Sequence, residues 1–126
     1  MIDHVTTRVS DLERSYDFYK TCLAALGHQW AFGEEGIFHA FDVGSGCLFE
    51  IAKANEKSAL TPVHIALRAK DRQQVEAFYR ASMGAGAVDN GKPGPRPNYT
   101  KNYYACFVLD PDGNNIEVMH DVWPSM

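Results

Sequence analysis

Two histidines and two glutamates stand at repeated positions in this chain, and those residue types in that pattern could hold a divalent metal ion. Asp3-His4-Val5-Thr6-Thr7-Arg8-Val9 is answered sixty residues later by Val63-His64-Ile65-Ala66-Leu67-Arg68-Ala69, which sets His4 on His64 and Arg8 on Arg68. The register continues, with Asp11 on Asp71, Phe18-Tyr19 on Phe78-Tyr79 and Lys20 on Arg80. Each half then ends in an apolar strand that carries one carboxylate, Glu50 in the first and Glu117 in the second. The offset has by then grown from 60 to 67, so the second half holds extra loop residues. An ionised carboxylate flanked by Leu48, Phe49, Ile51 and Ala52 would cost several kcal/mol to bury without a partner, and Glu117, between Ile116 and Val118, poses the same problem. One divalent ion held by two neutral imidazoles and two carboxylates answers both, and leaves the site neutral. A lone strand histidine is more often a hydrogen-bonded, half-buried residue; it is the duplication that carries the metal reading. His28, His39 and His120 have no duplicated counterpart and are read as peripheral.

Other side chains could complete such a site. Arg8 and Arg68 follow the histidines on the same strand face and could grip an anionic substrate group, or pair with a neighbouring strand. The loop carrying Lys92, Arg96, Tyr99 and Lys101 could close over an anionic ligand, with Arg96 as a substrate contact. One of Tyr103 and Tyr104 must face inward, and Tyr104 is taken as the substrate contact. Trp30, Phe32, Phe38, Phe41, Tyr99, Tyr103 and Tyr104 could also wall an aromatic cleft. Cys22, Cys47 and Cys106 are odd in number, far apart and in apolar contexts, and read as reduced packing residues. Gly44-Ser45-Gly46 lacks the Lys and the helix of a phosphate loop.

Elements to position these residues can be read from periodicity. Residues 2–9 alternate, with Ile2, His4, Thr6 and Arg8 on one face. Ser10-Asp11-Leu12-Glu13 reads as a capping box opening a helix whose stripe is Leu12, Tyr16, Tyr19, Leu23 and Leu26, ended by Gly27. Strands follow over 37–43 and 47–52 around a 44–46 hairpin, then a linker over 53–61. The second half repeats the plan, with a helix from near Asp71 that buries Val75, Phe78, Tyr79 and Met83 and stops at Gly84 and Gly86. Residues 90–102 contain Pro93, Pro95 and Pro97 and cannot form a central strand. A strand over 103–109, the turn Asp110-Pro111-Asp112-Gly113 and a last strand over 116–119 complete the half. Each half reads β-α-β-β, with room for a further short strand near 29–32 or 87–89.

At 126 residues the chain is expected to be one domain, 1–126, with a first module over about 1–54 and a second over about 62–122. A hydrophobic share of 45% and a net charge of −4, with Lys and Arg thinly spread, speak for a globular protein and against a nucleic-acid partner. No apolar run reaches the 18 or so residues of a membrane span, and the polar start argues against a secretory leader, so a cytoplasmic location is expected.

With these residues in view, the chain resembles the vicinal oxygen chelate superfamily, which groups glyoxalase I, extradiol dioxygenases, fosfomycin and bleomycin resistance proteins and methylmalonyl-CoA epimerase. The motifs are His4-Val5-x-x-Arg8-Val9-x-Asp11-Leu12-x-Arg14-Ser15-x-x-Phe18-Tyr19, then His64-Ile65-Ala66-Leu67, then Asp110-Pro111-Asp112-Gly113-x-x-Ile116-Glu117. The resemblance implies an α+β fold of two tandem βαβββ modules forming a curled mixed sheet, a half-barrel cleft with the metal at its floor. It places the metal ligands of bacterial glyoxalase I on His4, Glu50, His64 and Glu117, and a glutathione contact on Arg8. The loop over 91–99 departs from glyoxalase I and looks more like small bacterial members of the superfamily.

What the resemblance implies for function is a metal-dependent lyase or isomerase of the lactoylglutathione lyase type. It would act on a small oxygenated, possibly glutathione-linked substrate through a metal-stabilised enediolate, with Glu117 as the base and Glu50 as the second catalytic carboxylate. The cofactor would be one divalent ion per site, Zn, Ni, Co, Mn or Fe. A drug-sequestering protein of the bleomycin-resistance kind and an extradiol-type dioxygenase are the alternatives. A homodimer is expected, whose sites either form within one chain or take His4 and Glu50 from one chain and His64 and Glu117 from the other.

Overall fold

The computed structural model describes residues 1–55 and 60–122; residues 56–59, within the expected linker, lie outside the described residues. The first module comprises β1 (His4–Val9), α1 (Leu12–Ala24), β2 (Gln29–Glu34), β3 (Phe38–Asp42) and β4 (Leu48–Lys53). The second comprises β5 (His64–Arg68), α2 (Arg72–Gly84), β6 (Val88–Pro95), β7 (Tyr104–Leu109) and β8 (Asn115–His120). Both are βαβββ units. Strand order is β1-β4-β3-β2 in one four-stranded sheet and β5-β8-β7-β6 in the other, each with one parallel pair among antiparallel ones.

The expected half-barrel cleft is not formed. Each sheet stays open, ends in its own edge strands and shares no strand pairing with the other among the described residues. The modules meet instead through α1, α2 and the turn after β7. The alternation of the strands explains this. Thr7 and Val9, Phe49 and Ile51, and Val118 and Ile116 turn their side chains into a core shared by both helices, leaving the opposite sheet faces outward. Burying each large side chain of this core, such as Phe18, Phe78 or Leu23, is worth about 1.5–3 kcal/mol.

Both helices open on an aspartate. Asp11 accepts from the Arg14 amide at 3.1 Å, and Asp71 from the Gln74 amide at 2.8 Å. Ser10 is therefore not the cap. Its amide and hydroxyl donate to the Asp112 carboxylate, at 3.1 and 2.5 Å, and so tie the start of α1 to the second module. Nearby, the buried Tyr19 hydroxyl donates to Asp110, whose carboxylate also accepts from the Asp112 and Asn114 amides and from the Asn114 side chain. The α2 stripe is Val75, Phe78 and Ser82; Tyr79 is half-buried and Met83 is exposed because it falls one position beyond the stripe.

The proline-rich segment contributes more order than its composition predicts. Residues up to Pro95 pair with β7 as an edge strand, where a missing amide donor is tolerated, and register shifts beside Gly91 accommodate the irregularity. A bulge also interrupts β2. Trp30 pairs with Phe41 and Phe32 with Ala40, so Ala31 is the inserted residue. The bulge sends Trp30 to the helix side of the sheet and Phe32 to the outward side.

Candidate functional site

The outward faces of the two sheets carry the duplicated residues in identical register. On the first, His4 pairs with Leu48 and Thr6 with Glu50; on the second, His64 pairs with Asn115 and Ala66 with Glu117. Each histidine therefore lies one same-face position before its glutamate on the neighbouring strand. Parallel β1–β4 and β5–β8 pairing makes this possible, because side chains in register across a parallel pair share a face. The result is two half-sites of one His and one Glu.

The half-sites differ in how their polar atoms are satisfied. In the first, the exposed His4 Nδ1–H donates to Asp3 at 2.8 Å, leaving Nε2 as the nitrogen with a lone pair. The bond to Asp3 and the charge of Glu50 raise the His4 pKa above its ordinary value. Thr6 Oγ1 donates to Glu50 Oε1 at 2.9 Å. In the second, Ala66 replaces Thr6, and Glu117, only 4% exposed, is held differently. His64 Nε2 lies 2.8 Å from Glu117 Oε1, and the Tyr103 hydroxyl donates to Oε2. Partial burial, followed by this bond, raises the Tyr103 pKa, so the phenol stays a donor at neutral pH.

The other expected contacts divide between the faces. Arg8 is exposed at the end of the His4 face, whereas Arg68 donates to the Asp121 carbonyl at 3.1 Å. Arg96 lies on the outward side, its guanidinium 5.5 Å from the Phe107 ring centroid and donating to the Lys92 and Gly94 carbonyls. Phe107 in turn pairs with Glu117 and sits 6.2 Å from His64. Tyr104 is on the helix side, its hydroxyl donating to Glu76 at 2.7 Å under the Arg72 guanidinium. It is Tyr103 that reaches the site. The aromatic wall is split too, with Phe32 and Phe38 together on the outward face and Trp30 and Phe41 on the inner one. Thr6 was visible on the His4 face in the alternation, and the signal that marks it is its register opposite Glu50.

The sequence profile of the Glyoxalase/Bleomycin resistance protein/Dioxygenase superfamily matches residues 1–118. The chain belongs to this superfamily. Among solved structures, a glyoxalase/bleomycin resistance protein from Albidiferax ferrireducens is 26% identical at a TM-score of 0.85, over 96% of this chain and 99% of that one. A lactoylglutathione lyase from Agrobacterium tumefaciens is 18% identical at a TM-score of 0.72, over 98% and 96% of the two chains. A glyoxalase-related enzyme from Fulvimarina pelagi is 19% identical at a TM-score of 0.78, over 98% and 91%. At these lower identities the likeness is one of fold. No curated protein matches the chain.

Superfamily membership leaves the metal to be tested against the residues present. Two donors bonded to one ion at about 2.1 Å stand roughly 3 Å apart when they meet it at a right angle. His64 Nε2 and Glu117 Oε1, at 2.8 Å, fit that spacing. Imidazole and carboxylate donors suit the divalent ions Zn, Ni, Co, Mn and Fe without selecting among them. Yet among the described residues no group of three or more His, Cys, Asp and Glu side chains comes together as a metal site. Each sheet offers two candidate ligands, which do not come together in one group within the described residues. No helix among the described residues is long and apolar enough to cross a membrane.

Proposed function

We propose that the protein is a metal-dependent lyase or isomerase of the glyoxalase type, whose site forms between two copies of the chain. His4 and Glu50 of one copy and His64 and Glu117 of the other would hold one divalent ion. The observation that carries this reading is the identical register of His and Glu on two separate outward faces. When bound, the ion would supply a Lewis acid for two neighbouring oxygens of a small substrate. Glu117, whose second oxygen accepts from Tyr103, moves the proton between adjacent carbons, while Glu50 is oriented by Thr6. Arg8 anchors a substrate carboxylate, and Arg96 adds positive charge beside Phe107. A cytoplasmic location with no nucleic-acid or membrane partner fits this role.

Subunit mixing tests the reading. Neither His4→Ala nor His64→Ala homodimers retain an intact quartet, but a heterodimer of the two regains one, so mixing restores activity toward the thiohemiacetal of methylglyoxal and glutathione, together with about one bound metal per heterodimer. Absence of any recovery of metal or turnover would sink the shared site. Wild-type protein that purifies free of metal, and takes up none when supplied with divalent ions, would favour the drug-sequestering alternative. Oxygen uptake with catechols only after Fe(II) loading would mark the dioxygenase.

A further inference from the structure

A cleft of about 760 Å³ lies on the side of the first sheet opposite His4 and Glu50. Its position follows from register: His39 pairs with Ile51 and Trp30 with Phe41, both core residues packed toward α1. One wall is aromatic and fixed in place. The Trp30 indole N–H donates to His39 Nδ1 at 3.0 Å, and the His39 ring stacks on Tyr16 with centroids 4.3 Å apart. Burial lowers the His39 pKa, which keeps that nitrogen an acceptor. Gly33 forms part of the lining because a Cβ there would stand 2.8 Å from His39 Nδ1 and 2.6 Å from the Phe38 carbonyl. The rim is acidic, with Asp11, Glu13 and Glu35 against one ammonium, Lys53.

Trp30 is 45% exposed on the wall of this cleft, although its polar atom is already satisfied. An accessible indole face has no hydrogen bond left to explain it, but it is the strongest aromatic partner for a cation. The volume is that of a small-molecule site. We infer that this cleft is a second binding site, distinct from the His and Glu faces, for a small planar organic cation seated over Trp30 and neutralised by Glu13 and Glu35. The same wall with a basic rim would favour an anion, and with no charge a neutral ring; the carboxylates decide the class.

Calorimetric titration with benzamidinium, neutral benzamide and anionic benzoate tests the assignment. Benzamidinium should bind at least about tenfold more tightly than benzamide, with benzoate weakest. Trp30→Leu and the Glu13→Gln/Glu35→Gln double variant should each weaken benzamidinium about tenfold. Both alter exposed side chains, and matching circular dichroism would verify folding. His4→Ala should leave the affinity unchanged, which separates this cleft from the metal site. Equal binding of benzamide and benzamidinium, undiminished binding by Trp30→Leu, or no heat at millimolar benzamidinium would overturn the proposal.

Discussion

Glu117 shows how one carboxylate can be kept in an apolar strand: its two oxygens are divided between an imidazole and a phenol. Removing the phenol should therefore be felt at the metal before it is felt in the fold. We expect Tyr103→Phe to weaken divalent metal binding about tenfold while shifting stability by only about 1 kcal/mol, as competition with a chromophoric chelator and urea unfolding would report. His4→Ala and Glu117→Gln should lower bound metal further, and wild-type stoichiometry in both would remove the quartet from consideration. Burial pushes the Cys22 and Cys106 thiols up to about 12. Folding holds them neutral, so their contribution is complete below the ordinary thiol pKa near 9 and is lost as pH rises toward about 12. The melting temperature should fall across that window, and less so in Cys22→Ala/Cys106→Ala protein. Sequence periodicity could place the four ligand candidates on strand faces. It could not choose between Tyr103 and Tyr104, because adjacent residues at a strand entry point to opposite faces and only the pairing partner decides.

At the level of elements, the turn after β7 acts as a clasp between modules. Asp110 is 4% exposed and accepts from Tyr19 on α1, while Asp112 accepts from Ser10 at the start of that helix. Asp110→Ala would strand the buried Tyr19 hydroxyl and loosen the turn, and should cost about 3 kcal/mol or more by urea unfolding. Ser10→Ala should cost no more than about 1 kcal/mol, since its hydroxyl is replaceable by water. Both helices, the Asp71 start of α2 and the turn were legible in the sequence, since each rests on local chemistry. The capping serine was misread because its bond runs to a residue about a hundred positions away. The extent of β6 was hidden for a related reason: prolines forbid a central strand, and only the topology reveals an edge position that accepts them.

For the molecule as a whole, repetition announced two β-α-β-β halves with room for a further strand in each, but not how they would be joined. A curled sheet and two open sheets share the same strand patterns, and the choice was made by contacts of α1, α2 and the Asp110 turn that no periodicity encodes. The outward faces then leave His4 and His64 exposed on separate sheets. A dimer should therefore sediment at twice the 14.1 kDa chain mass. A monomer at micromolar concentration would count against the shared site. The open sheets also carry a hazard. All six residues of β2 are exposed along an edge, with Trp30, Phe32 and unpaired backbone groups available to another chain. The extra residue at Ala31 disrupts that ladder and bends it, so the strand is a poor template for its own copies. Deleting Ala31 would straighten the edge and leave Trp30 opposite Phe41 and Phe32 opposite Ala40 in an unbroken ladder. The shortened chain should form thioflavin-positive aggregates under conditions where the parent stays clear, which would make that one-residue irregularity a guard against edge-to-edge stacking.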